Sequence, residues 1–154
     1  MKTLQRWHLD SNAPYCLHIA ADARLSSTDY RDDQIWEVRP GSGDSPALAL
    51  QSRLGVRAGL VSIVPMWQYD GRSIYQAQAY TRPPSLTGFA PGYLRFESAL
   101  TPHLGLQTEY WAMESHAIGV RFTVANIHSE PLEVELDVVA FVGMNNKEQA
   151  LIPL

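Results

Sequence analysis

The chain has 154 residues, 45% of them hydrophobic, with 12 Lys and Arg against 16 Asp and Glu for a formal net charge of −4. That length fits one domain, and its apolar content can build a core without disulfides or metal. The mild acidity, with no run of Lys or Arg, excludes the basic face of a nucleic-acid binder and an anchor for an anionic membrane surface. The apolar stretches fall far short of the roughly 20 residues that span a bilayer.

Cys16 is the only cysteine, so no intrachain disulfide forms. Lys2 and Arg6 are followed by Asp10, Ser11, Asn12 and Pro14 rather than by an apolar run, so no signal peptide is read. Both features point to a reducing, cytoplasmic setting.

Ten Gly and ten Pro punctuate short segments rich in Val, Ile, Leu, Thr and aromatic residues. This is the pattern of many short strands joined by turns. In chain order, strands are expected at 15–20, 34–38, 47–54 and 60–69, the last broken by Pro65 at a bulge or an edge. Asp70-Gly71-Arg72 reads as a hairpin turn, because Asp-Gly tolerates positive φ, and 73–81 as the return strand. Residues 82–92, with three prolines and two glycines, read as the longest loop. Strands follow at 93–100, 105–114, 117–126 and 132–142.

The last two strands alternate cleanly. Ile118, Val120, Phe122 and Val124 share one face, and Leu132, Val134, Leu136 and Val138 share another. A turn centred on Ser129 would place Phe122 opposite Leu136 and Arg121 opposite Asp137. Val139, Ala140, Phe141 and Val142 are apolar on both faces, so that end of the strand is expected to be covered on both sides. No segment carries a helical period over twelve or more residues, and 145–151 allows one helical turn at most. The expected fold is an all-β, antiparallel two-sheet sandwich of about eight or nine strands, a single domain over residues 1–154. Ala150-Leu151-Ile152-Pro153-Leu154 lacks a polar tail, as expected either of a final edge strand docked on the sheet or of a domain at the N-terminal end of a longer chain.

No catalytic constellation stands out. No two of His8, His18, His103, His116 and His128 share a metal-ligand spacing, and no Cys-x-x-Cys occurs. No metal or cofactor is expected. Cys16 sits between Tyr15 and Leu17 as a buried, inert thiol. Gly41-Ser42-Gly43 precedes Asp44, which would repel phosphate. Asp29, Asp32 and Asp33 lack the glycine of a calcium loop and surround Arg31. Glu97, Glu109 and Glu114 lie on neighbouring strands, where outward charges decorate a sheet.

Aromatic residues are the remaining signal. Trp67 and Tyr69 share a face with Val61 and Ile63 and belong to the core. Trp111 falls on the opposite side of its strand from Leu106 and Tyr110, with Gln107 and Glu109. It is the candidate for an exposed ring that stacks on a sugar or contacts a neighbouring domain. Trp111, Gln107 and Glu109 are therefore the candidate carbohydrate or domain contacts.

Gly119-Val120-Arg121-Phe122-Thr123-Val124-Ala125-Asn126, followed by Pro131-Leu132-Glu133-Val134-Glu135-Leu136, resembles the N-terminal super-sandwich of multidomain glycoside hydrolases. Asp33-Gln34-Ile35-Trp36-Glu37 and Met66-Trp67-Gln68-Tyr69-Asp70-Gly71 are similar in style. The resemblance implies an antiparallel sandwich preceding an (α/α)6-barrel catalytic domain. It also implies that acid and base lie on that barrel, so no catalytic residue carries over to this chain. Three roles follow. An accessory domain in carbohydrate metabolism would pack against the catalytic domain of the same polypeptide and carry a sizeable apolar patch. An independent carbohydrate-binding module would need an exposed aromatic platform at Trp111. A small lyase or epimerase would need His103 and His116 to converge with Glu97 or Glu114.

Overall fold

The computed structural model describes residues 17–19, 36–53, 58–90, 92–114 and 117–144. These form β1 (Leu17–Ile19), β2 (Trp36–Arg39), β3 (Ala49–Arg53), β4 (Ala58–Tyr69), β5 (Arg72–Ile74), β6 (Arg82–Ala90), β7 (Tyr93–Thr101), β8 (Leu104–Glu114), β9 (Ala117–Asn126) and β10 (Glu135–Met144). A 3-10 turn spans Ala77–Ala79. One sheet has the order β1-β2-β3-β4-β10, with β5 also pairing β4; the other is the meander β6-β7-β8-β9. The fold is the all-β, antiparallel two-sheet sandwich that the alternation demands. Among the described residues no helix is long and apolar enough to cross a membrane.

Period-two patterning explains the core. Val38, Leu50 and Trp67 from the first sheet pack with Leu94, Phe96 and Tyr110 from the second, all essentially buried. Two contacts bridge the layers. The Trp67 and Phe122 rings meet edge to face at 5.5 Å, and the Tyr110 hydroxyl donates to the Leu48 carbonyl oxygen at 2.8 Å. Leu48 offers that oxygen from a positive φ of 57°, a conformation uncommon outside glycine.

Several expectations need correction. The pairing of 117–126 with 132–142 does not occur. Phe122 lies opposite Thr108, and Arg121 opposite Glu109, both in β8. Leu136 lies opposite Trp67, and Asp137 opposite Met66, both in β4. Alternation specifies which face is buried but not which strand is adjacent. Residues 127–134 instead carry the chain from one sheet to the other. Asn126 starts this crossing by accepting the His128 N–H and donating to the Glu130 carbonyl, and Leu132 and Val134 pack against the core on the way.

The expected loop at 82–92 is largely strand β6. Its prolines are tolerated because β6 is the outermost strand of its sheet and shifts register against β7 between Arg82 and Ser85 and again between Leu86 and Gly88. Pro65 does not break β4. It lies between Ile63, the end of the β3 pairing, and Trp67, the start of the β5 pairing, where that side of β4 has no ladder for proline to interrupt. The hairpin at Asp70-Gly71 forms as expected, with φ of 49° and 69°, but its return strand ends at Ile74 rather than at 81. Ala77 and Gln78 then donate to the carbonyls of Ser45 and Gly43 instead of to β4.

The 139–142 segment is not covered on both sides. Val138, Phe141 and Val142 are 62%, 59% and 55% exposed. The Trp67–Phe122 contact sets β9, the last strand of the second sheet, over β4. The final strand β10 therefore projects as an apolar ledge. Expected strand residues 15, 16, 20, 34, 35 and 54 lie outside the described residues, as does the 145–151 segment.

Trp67→Ala removes a buried ring that joins the layers and is expected to cost about 3–5 kcal/mol, lowering Tm by about 10 °C for a chain of this size. Tyr110→Phe leaves the Leu48 carbonyl without its partner and is expected to cost about 1–3 kcal/mol. Thermal and denaturant unfolding followed by circular dichroism measure both.

Candidate functional site

The outer face of the second sheet is built by the register of β7, β8 and β9. Three rows cross it: Tyr93, Trp111 and Gly119; Arg95, Glu109 and Arg121; Glu97, Gln107 and Thr123. The expected residues Trp111, Gln107 and Glu109 thus form one column of β8, as their spacing of two requires.

Each sits differently from a freely exposed contact. Trp111 is half-buried, its indole lying over Gly119, where an added methyl would collide with the ring. Glycine at 119 is what lets the ring lie down on the sheet. Gln107 is partly buried. Glu109 is only 5% exposed and both of its oxygens are engaged. The Tyr93 hydroxyl donates to Oε1 at 2.5 Å, and the Arg121 Nε donates to Oε2 at 2.6 Å, with an Arg121 terminal nitrogen at 2.5 Å from the same oxygen.

These contacts set the local electrostatics. The Tyr93 hydroxyl, then the Arg121 guanidinium, hold the Glu109 carboxyl below its ordinary value, against the opposing effect of burial. Burial, then the adjacent Glu109 carboxylate, push the Tyr93 phenol up to about 12. Glu109 is an ionised anchor that fixes Tyr93 and Arg121, and each of its oxygens already accepts a hydrogen bond. The groups left facing outward include the Arg121 side chain, 64% exposed, Gln107, Glu97, Thr123 and the exposed part of Trp111. Arg95 lies against Gly88, and its Nε donates to Thr87 Oγ1 at 3.4 Å.

Sequence reasoning missed Tyr93, Arg95 and Arg121 as members of this face. The signal was present, since 93–100 and 105–114 alternate and are joined by the short Thr101-Pro102-His103 turn. Assigning Arg121 to Asp137 concealed its pairing with Glu109.

The other candidates do not converge among the described residues. The His103 and His128 rings meet edge-on with centroids 4.7 Å apart, while Glu97 lies within β7 on the outer face. His116, Cys16 and the Asp29, Asp32 and Asp33 group lie outside the described residues. Among the described residues no cluster of three or more His, Cys, Asp or Glu could hold a metal. Trp67 is buried and Tyr69 packs against the core, as expected. Compared with known proteins, the chain matches no family, no curated protein and no solved structure.

The anchor gives two pH windows. Because the folded Glu109 carboxyl titrates below its unfolded value, its contribution to stability is full above the ordinary carboxylate range and is lost as pH falls through the folded value. The folded Tyr93 phenol titrates above its ordinary 10.0, so its contribution is full below pH 10 and is lost as pH rises toward 12. Tyr93→Phe is expected to reduce the alkaline loss, to which the buried Tyr80 and Tyr110 also contribute, and to raise the Glu109 titration seen by carboxyl NMR. Arg121→Ala removes the cation from a buried carboxylate and is expected to cost about 1–3 kcal/mol, more than an exposed pair would.

Proposed function

We propose that this chain is a non-catalytic accessory β-sandwich domain of a glycoside hydrolase, packing against a catalytic domain of the same polypeptide. One observation carries this reading: the flank formed by β9, β10 and the segment joining them leaves Val124, Ile127, Leu136 and Val138 exposed. Val124, Leu136 and Val138 alternate on the inward faces of their strands, where a sandwich normally buries such residues. Apolar side chains left open along one flank in this way support a contact with another protein surface. The resemblance of 119–126 and 131–136 to the super-sandwich of such enzymes supports the identity of the partner.

The outer face of the second sheet favours a second reading, an independent carbohydrate-binding module. An indole laid flat on a sheet, flanked by the polar groups of Arg121 and Gln107, offers an apolar surface to a sugar ring and hydrogen bonds to its hydroxyls.

Two measurements separate the readings. Reading the gene past codon 154 tests the first: a helix-rich segment encoding a barrel is expected, and its absence overturns the accessory role. Titrating soluble oligosaccharides against tryptophan fluorescence tests the second. That reading expects a quench lost in Trp111→Ala, and no quench at millimolar sugar removes it.

A further inference from the structure

Among the described residues the sheets end on β1, β5, β6, β9 and β10, and every edge but the last is guarded, that of β5 by being three residues long. The edge at β1 is three residues long. The edge at β6 carries Pro83, Pro84 and two register shifts. The edge at β9 presents the charged Arg121 at its middle. Short strands, prolines, bulges and charges are the usual devices that prevent one sheet from adding to another. The edge at β10 has none of them between Val138 and Val142; its one register shift against β4 falls beyond that run, between Val142 and Met144. From Val138 to Val142 it is a continuous run without Pro, Lys or any charge, and among the described residues no strand pairs its outer side. Val138, Phe141 and Val142 are exposed there on both faces of the strand.

We propose that this edge pairs with the same edge of a second copy of the chain, antiparallel about a two-fold axis at Ala140. A two-fold perpendicular to the sheet keeps each side chain on its own face, so residues of equal parity meet. Centring on Ala140 places Val138 opposite the partner's Val142, Val139 opposite the partner's Phe141, and Asp137 opposite the partner's Gly143. Every apolar residue of the run then meets another.

Charge disfavours the registers centred nearer the acidic end of the strand. A centre at Asp137 would set two carboxylates face to face, and one at Leu136 would set Glu135 against Asp137. A centre at Val139 would set Asp137 against Phe141. With the centre at Ala140, the two copies of Asp137 lie roughly 20 Å apart along the ladder, beyond the screening length of about 8 Å in physiological salt. The acidic end of the strand thus disfavours every slip toward it while leaving the apolar end free to pair. The inward-facing surface of the ledge stays open in this dimer, so the pairing does not depend on the accessory-domain reading.

A single strand edge is a small interface. The full chain is therefore expected to sediment as a dimer at about 100 μM and as a monomer at about 1 μM. Val138→Lys combined with Phe141→Lys, at exposed positions, is expected to abolish the dimer at about 100 μM with unchanged circular dichroism. Register is read by cross-linking in a Cys16→Ser background. Ala140→Cys places two thiols directly opposite, within reach of a disulfide, whereas Asp137→Cys does not. Dimer formation with oxidation of Ala140→Cys far exceeding that of Asp137→Cys supports the proposal. A chain that stays monomeric at about 100 μM, or one in which Asp137→Cys cross-links as readily as Ala140→Cys, overturns it. The cysteine variants carry the test on their own if the lysine variant fails to fold.

Discussion

The architecture depends on Trp67 being enclosed from two directions. Leu136 lies beside it in the same sheet, and the Phe122 ring meets it edge-on from the other. One large ring thereby fixes the relative placement of both layers. It sets β9 over β4, which leaves β10 outside the covered area and creates the ledge. It also requires the chain to leave the second sheet after Asn126 and return to the first, because Phe122 and Leu136 must reach the same indole from different sheets. The Tyr110 hydroxyl on the Leu48 carbonyl adds a directional contact between the layers, where most of the interior offers only non-directional packing.

The outer face of the second sheet shows the opposite economy. There a carboxylate is removed from water and kept charged by a phenol and a guanidinium. A buried charge is tolerated only when its hydrogen-bonding capacity is met, and Glu109 meets that condition through side chains from both neighbouring strands. The result is a polar plate beside the Trp111 indole, with the Arg121 guanidinium held on the Glu109 carboxylate.

Much of this was legible in the sequence. Strict alternation gave the class, the boundaries of β9, and the face that each residue of β9 presents. The spacing of Gln107, Glu109 and Trp111 put them in one column. What was not legible concerns neighbours rather than faces. Phe122 has the same inward preference whether it meets Leu136 or Thr108, so period two cannot choose between a hairpin and a crossing between sheets. Proline was misread at both Pro65 and Pro83-Pro84 because its cost depends on whether an N–H is wanted at that place in the ladder, and that is decided by strands distant in sequence. The apolar run 139–142 was read as buried on the assumption that greasy residues seek cover, yet the second sheet stops one strand short of it.

The return of β10 to β4 has a consequence for how the molecule is made. The first sheet is built from the start of the chain, but its last strand arrives only after the whole meander of the second sheet has been synthesised. On the ribosome, β4 must therefore wait with one side of its ladder unmet while β6 to β9 emerge. Distant pairings of this sort form late and slowly, and the nascent chain is exposed to misassociation throughout that interval. Pro65, midway along β4 and without an N–H to donate, sits in the strand that waits.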